Sequence, residues 1–383
     1  MTTATATRPL TQSRPTATGE TQKARESRIL SSTRWTEGGS MRETIHFCGI
    51  AEIASRMDTR KTLILTDRKV HSLFGASFPA CPLVFVPEGE AAKSWDVLAE
   101  LYRQFIALEL DRSWKILAIG GGAVGDLGGY AAHSWLRGIG FMLAPTTLLA
   151  MTDASLGGKN GIDFQGYKNV VGSFHLPEAI FCDIETLRLL DGRQFASGMA
   201  EVIKHAIIDG EDYFAFLERA LASQAGGGCL DYNSCPGETL KHIVSESQRV
   251  KLSIVQRDPR EAGERRILNL GHSFGHAIEI VSGMPHGYCV ALGIVLACSF
   301  SMKRGYMTAP TAGRIEDLLS GYGLPVDVRS MRNDKDRMAE TLFMDKKREG
   351  SWMNLVIPRD IGSVAVEKVA IQELKAFLDE AMA

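Results

Sequence analysis

Between residues 62 and 145, short apolar runs alternate with stretches of helical periodicity, and this alternation restricts the fold more than any other property of the chain. Runs 62–66, 83–87, 115–119 and 141–145 are too short for helices and lack the polar alternation of a strand with one wet face. Strands apolar on both faces belong to a parallel sheet covered by helices, and segment 94–108 has the spacing of such a cover. The expected N-terminal part is therefore α/β, Rossmann-like, with a mainly parallel sheet. From about Arg193 the strand signal fades, and 195–208, 239–255, 272–281 and 290–304 read as helices. A mainly α-helical C-terminal domain follows, with the active site expected in the cleft between the two. Segment 353–358 reads as a late strand and 371–381 as a closing helix.

The length of 383 residues exceeds what one core usually organises, which supports two domains, 41–192 and 193–383. Residues 1–40 stand apart, rich in Thr, Ser and Arg and nearly free of bulky apolar side chains. Such a segment cannot bury enough surface to fold, so a disordered tail or a misassigned start, with Met41 as the working start, is expected. A transit peptide shares this acid-poor bias, but no amphipathic face accompanies the arginines. The glycine-rich patch 225–228 reads as a flexible loop between helices.

A net charge of −2 gives no reason to expect nucleic acid or an anionic membrane as partner, so any phosphate chemistry must be local. Apolar stretches such as 291–300 fall short of a bilayer span. Seven scattered cysteines without a CxxC pair suggest neither a disulfide framework nor a thiolate metal site, and a reducing cytoplasmic compartment is the natural expectation.

Two places carry chemistry. Gly120-Gly121-Gly122-Ala123-Val124-Gly125-Asp126 follows a predicted strand, opens a predicted helix and satisfies GxGxxG. Missing side chains let backbone N–H groups approach a pyrophosphate at a helix N-terminus. The acidic residue expected about 20 positions downstream is absent. Asp67, at the end of an earlier strand, is the alternative ribose carboxylate, or else an N-cap. In the second place, His272 and His276 lie four apart on a predicted helix, hence on one face, and His286 follows closely. The zincin base is missing, because Ser273 follows His272. A catalytic zinc site needs three protein ligands. Glu201, in an apolar helix, is the best carboxylate candidate, with His205 one turn on as a competitor. Lys93, Arg137, Lys159, Lys168, Lys204, Lys251, Arg265 and Lys346 stand in polar or Gly-rich settings; converging, they would fit a substrate carrying phosphate and carboxylate.

The runs GGGAVGDLGGY, LAPTTLLAMTDASLGGKNGIDF, KNVVGSF, GMAEVIKH, EAGERRILNLGHSFGHAIE and PHG occur in the order and spacing of the 3-dehydroquinate synthases. Over 62–362 the chain resembles that family of sugar-phosphate cyclases. The resemblance implies a phosphate-eliminating lyase of the shikimate pathway of aromatic amino acid biosynthesis, homodimeric, using NAD and zinc, with cobalt as an alternative metal. Zinc would be held by Glu201, His272 and His286, not by His205. Catalytic groups would be His276, Glu261 and Lys159. Substrate contacts would be Arg137, reaching across the dimer, with Asp153, Asn169, Lys204, Lys251, Arg265, Asn269 and Lys346. NAD contacts would be Asp67, Glu90, Lys93, Gly121, Gly122, Asp126, Thr146, Thr147 and Lys168. The implied reaction turns 3-deoxy-D-arabino-heptulosonate 7-phosphate into 3-dehydroquinate and phosphate by transient oxidation, elimination, reduction and intramolecular aldol closure.

Three positions depart from the family pattern: Lys69 replaces an Asn, Leu189 a Thr, and Tyr288 the acidic residue after His-Gly. The alternatives are a cyclase acting on sedoheptulose 7-phosphate and a metal-dependent polyol dehydrogenase. Retention of Lys159, Asn169, Lys251, Arg265, Asn269 and His276 together favours the carboxylated substrate.

Overall fold

The protein was analysed as a computed structural model, which describes residues 44–223, 235–344, 348–349 and 351–383. The readings of 1–40, Met41, 225–228 and Lys346 lie outside these residues.

The apolar runs form strands as expected. In chain order the first half is β1 Thr44–Phe47, β2 Thr62–Asp67, α1 Arg68–Phe74, β3 Leu83–Val86, α2 Trp95–Ala107, β4 Lys115–Gly120, α3 Gly122–Ser134 and β5 Gly140–Pro145. A hairpin of β6 Lys159–Phe164 and β7 Tyr167–Phe174 precedes β8 Ala179–Cys182. Six strands pair in the order β1-β8-β5-β4-β2-β3, all in parallel. β2 is buried at every position and β4 at all but its first, which is why neither shows alternation. The half-buried β1, at the sheet edge, and the four-residue β8 carried too little apolar signal to be expected.

Topology puts a crevice at one place. From β2 the chain moves outward to β3, then crosses back to β4 and proceeds the other way to β5. The order therefore reverses between β2 and β4, and ligands of open parallel sheets bind outside the strand ends at such a point. Asp67 ends β2 and Gly120 ends β4.

The second half is mainly helical, as expected: α4 Gly192–Asp209, α5 Glu211–Ala222, α6 Gly237–Arg257, α7 His272–Ser282, α8 His286–Lys303, α9 Ala309–Gly321 and α10 Lys335–Met344. A small antiparallel sheet of β9 Arg348–Glu349, β10 Trp352–Asp360 and β11 Ser363–Ala370 is followed by α11 Ile371–Ala381. β11 was not expected: Glu367 and Lys368 interrupt its apolar pattern, and its pairing with β10 supplies what the pattern lacks. α8 is long and apolar enough to cross a membrane, yet 72% of it is buried within the protein, the position expected of a helix apolar all round.

One core joins the halves. Leu65 and Ile116 of the sheet and Leu127 of α3 share a cluster with Phe195, Met199 and Ile203 of α4 and Val290 and Ile294 of α8. The opposite sheet face packs Ile64, Leu117, Ile119 and Met142 against Ile50 and Ile53.

Candidate active site

The helical half brings its polar residues together through glycines. A Cβ on Gly287 would lie 2.0 Å from the Ser197 carbonyl of α4, and one on Gly293 would lie 2.0 Å from the Gly271 carbonyl. Gly271, which starts α7, has φ +78°, a conformation costly for any residue with a Cβ. α8 can therefore sit directly against α4 and α7, and Ser197 Oγ accepts the Gly287 N–H at 3.0 Å. Four residues along α4 from Ser197 stands Glu201.

Glu201 is fully buried. Its Oε1 lies 3.5 Å from His272 Nε2 and 3.4 Å from His286 Nε2, and its Oε2 forms an ion pair with Lys204. Neither oxygen makes a hydrogen bond among the described residues. A buried carboxylate with one oxygen, Oε1, left without a bonded donor is expensive, and two imidazole nitrogens beside it form with it a donor set of the kind that binds a divalent cation. The residues fit a metal. Burial favours the neutral carboxyl of Glu201, but the Lys204 charge and His272 outweigh it and hold the group well below the usual range. Burial drives the His272 imidazole well below its ordinary value. For His286 burial acts the same way, but contacts with Glu201 and Glu279 outweigh it and raise the imidazole to about 9. His276 is exposed on α7, its ring 5.4 Å from that of His272 and 6.2 Å from that of His286.

A second grouping, Asp153, Glu201 and His205, also has ligand atoms close together. Ammonium groups already serve it: Lys251 Nζ is 2.8 Å and Lys204 Nζ 3.7 Å from Asp153 Oδ1. Burial raises the Asp153 carboxyl, but Lys251 and Lys204 overcome this and hold it well below its usual range. His205 is enclosed, with Nδ1 2.6 Å from Ser247 Oγ and Nε2 3.4 Å from Asp153 Oδ1. This is an ionic network between α4, α6 and the turn after β5.

Beside it, Glu261 forms an ion pair with Lys159 and accepts from Asn269 Nδ2 at 2.6 Å. Burial raises its carboxyl, but the Lys159 contact outweighs it and the net shift is downward. Arg265 is buried, donating to the Pro259 carbonyl at 2.7 Å. Glu261, Arg137 and Asn169 all have left-handed backbones, φ +58°, +68° and +50°, a strain that collects at functional positions.

At the sheet crevice, Gly121 caps α3 without a side-chain hydrogen bond, so the first-turn N–H groups have no side-chain acceptor there. Added Cβ atoms on Gly121 and Gly122 would meet Thr147 and Ala154 at 3.4 and 3.3 Å. These uncapped donors and missing side chains fit a pyrophosphate. Lys93 is buried, 2.9 Å from Asp126 and 3.5 Å from Glu90; burial lowers its ammonium, but Asp126 and Glu90 outweigh this and raise it. Thr146 donates its N–H to the Gly120 carbonyl at 2.9 Å. Asp67 accepts from Val70 N at 2.8 Å, so it does serve as an N-cap, at the crevice.

Lys168 and Asn169 lie on the hairpin. Asn169 is exposed and donates its N–H to Asp163 at 2.7 Å, while Lys168 pairs with Glu279 at 2.5 Å. Arg137 is exposed and forms no ion pair with any described residue of its own chain. Lys69 and Leu189 are exposed, and Tyr288 is half-buried under Arg193, whose guanidinium lies 5.8 Å from the ring. Sequence reasoning missed Glu279, whose Oε2 is 3.0 Å from His286 Nδ1. Its place in the GHSFGHAIE run, seven residues before His286, was the only signal.

Family models match most of the chain. Residues 83–197 match the model described as 3-dehydroquinate synthase N-terminal, and residues 198–348 match 3-dehydroquinate synthase C-terminal. The chain is 38% identical over 324 residues to a 3-dehydroquinate synthase of Acetivibrio thermocellus, covering 82% of this chain and 87% of the relative. Among solved structures, 2-epi-5-epi-valiolone synthase from Streptomyces hygroscopicus subsp. jinggangensis, with NAD+ and Zn2+ bound, superposes with a TM-score of 0.80 at 26% identity, covering 91% and 98% of the two chains. A 2-deoxy-scyllo-inosose synthase complexed with carbaglucose-6-phosphate, NAD+ and Co2+ gives 0.77 at 22% identity, covering 91% and 99%.

Proposed function

The chain belongs to the 3-dehydroquinate synthase family, and on that premise we propose that it converts 3-deoxy-D-arabino-heptulosonate 7-phosphate to 3-dehydroquinate and phosphate, as a carbon–oxygen lyase. The observation that carries this reading is Glu201, a buried carboxylate with no hydrogen bond among the described residues and two imidazoles beside it. When bound, zinc or cobalt supplies Lewis acidity toward substrate oxygens and NAD supplies reversible hydride uptake.

In this proposal Glu201, His272 and His286 hold the metal. Gly121, Gly122 and the start of α3 receive the cofactor pyrophosphate; Asp67, Glu90, Lys93, Asp126, Thr146, Thr147 and Lys168 complete the cofactor site. Residues 41–192 thus form the cofactor domain and 193–383 the metal and substrate domain. Lys204, Lys251 and Arg265 offer a buried cationic wall, one face of which is neutralised by Asp153, and they orient the charged substrate. Asn169, Asn269 and Lys346 are assigned to the same substrate. His276, exposed beside His272 and His286, is assigned to move a proton, and the Glu261–Lys159 ion pair is assigned to the same reaction. Arg137, exposed and unpaired among the described residues of its own chain, is assigned to the site of a second copy in a homodimer. A reducing, cytoplasmic setting belongs to the same proposal, and the described cysteines are free thiols.

The test compares substrates. With NAD and zinc present, the heptulosonate phosphate is expected to exceed sedoheptulose 7-phosphate in kcat/KM on the order of 10⁴-fold, because a site built for a charged group rejects an analogue lacking it. Turnover of the second without the first would make the chain a sedoheptulose 7-phosphate cyclase. Net NADH accumulation from glycerol would make it a polyol dehydrogenase.

A further inference from the structure

Glu279 belongs to none of the sites assigned above, yet it touches two of them. It sits on α7, and its side chain is largely buried, at 14% exposure. Burying a carboxylate is costly unless it is paired, and both oxygens of Glu279 are. Oε2 lies 3.0 Å from His286 Nδ1, at the start of α8, and Oε1 lies 2.5 Å from Lys168 Nζ, on the β6–β7 hairpin. In a metal-bound His286 the ring proton sits on Nδ1, where the Glu279 carboxylate accepts it, and Nε2, 3.4 Å from Glu201 Oε1, is the nitrogen that faces the other ligands.

The hairpin is itself fixed. A Cβ on Gly129 of α3 would fall 2.0 Å from Asn160 Oδ1, while Asn160 Nδ2 donates to the carbonyls of Gly158 and His175 at 2.8 Å each. Asp163 N donates to the Lys93 carbonyl at 2.8 Å. A chain of direct contacts thus runs from the cofactor-side elements through Lys168 and Glu279 to His286. Tyr288, the residue after His286-Gly287, has its ring under Arg193 and offers no carboxylate to the site. Among the described residues, Glu279 is the carboxylate at His286 Nδ1.

We propose that Glu279 is a positioning residue for the metal site, fixing the tautomer and orientation of His286 and tying that ligand to the hairpin through Lys168. The inference rests on the reading of Glu201, His272 and His286 as metal ligands.

The test measures metal, not turnover. Zinc dissociation constants by chelator competition, and the visible d–d spectrum of the cobalt-loaded protein, are compared for the parent, Glu279→Gln, Glu279→Asp and Lys168→Ala. Glu279→Gln is expected to weaken zinc about 10- to 100-fold. It should also shift the cobalt spectrum while the metal-free melting temperature stays near that of the parent. Glu279→Asp, which keeps the charge on a shorter arm, should recover part of the loss, and Lys168→Ala should weaken zinc less than Glu279→Gln. Zinc affinity within twofold of the parent and an unaltered cobalt spectrum in Glu279→Gln would overturn the positioning role while leaving the ligand reading intact. A parent that takes up no zinc, or a His272→Ala variant that binds it as well as the parent, would overturn the ligand reading and the positioning role with it.

Discussion

The side chain of Glu201 shows how three elements distant in sequence become one centre. It is buried by α4, faced by imidazoles of α7 and α8, and left without a hydrogen bond among the described residues. His272→Ala is therefore expected to remove zinc and activity together, whereas His276→Ala, which alters only an exposed neighbour, should retain full zinc by elemental analysis with activity lowered about 10²-fold or more. Equal zinc loss in both would contradict the division of roles. Glu261 gives a pH prediction. Its carboxyl is lowered in the folded state, so its contribution to stability is complete above the ordinary carboxylate value and is lost as pH falls through the lowered one. Glu261→Gln should cost about 1 kcal/mol at pH 7. The difference in melting temperature between parent and variant should shrink below about pH 4. A difference that grows on acidification would reverse the assigned charge state. His272 and His286 were legible from spacing, but Glu279 was not, because a glutamate near the end of an amphipathic helix reads as a solvated side chain until the hairpin closes over it.

Among elements, the close contacts of α8 with α4 and α7 set the geometry of the site. Gly287→Ala would drive a methyl group into the Ser197 carbonyl, so the helices must separate. The expected cost is about 1–3 kcal/mol in denaturant unfolding of the metal-free protein. Zinc affinity should fall as well, since the shift moves His286 away from Glu201. Normal zinc affinity in a destabilised Gly287→Ala variant would show that the ligand set does not depend on this contact. The strands β2, β4 and β5 were legible because burial on both faces leaves continuous apolar runs, and β3, though half-buried at alternate positions, is apolar throughout. The hairpin that carries Lys159, Lys168 and Asn169 was not, because most of its positions from Phe164 to Asn169 are exposed and its register comes from packing on α3.

At the scale of the molecule, the proposed cofactor crevice lies at the switch point of the sheet and the proposed metal ligands lie in the helices, with an apolar cluster continuous between the two halves. The two-part architecture was legible from periodicity, but this continuity was not, since nothing in a pattern of runs says which surfaces meet. A ligand that binds only the folded state raises stability by mass action, by about 2.7 kcal/mol at a hundredfold excess over its Kd. Zinc and NAD should therefore each raise the melting temperature in a calorimetric scan, and the zinc increment should vanish in His272→Ala while the NAD increment remains. The most direct measurement of the central claim follows one reaction to completion with the heptulosonate phosphate, catalytic NAD and zinc, recording phosphate, carbocycle and absorbance at the NADH band. One phosphate and one 3-dehydroquinate per substrate consumed, with no net NADH, are expected; phosphate release without a carbocycle, or NADH accumulating with product, would contradict the proposed reaction.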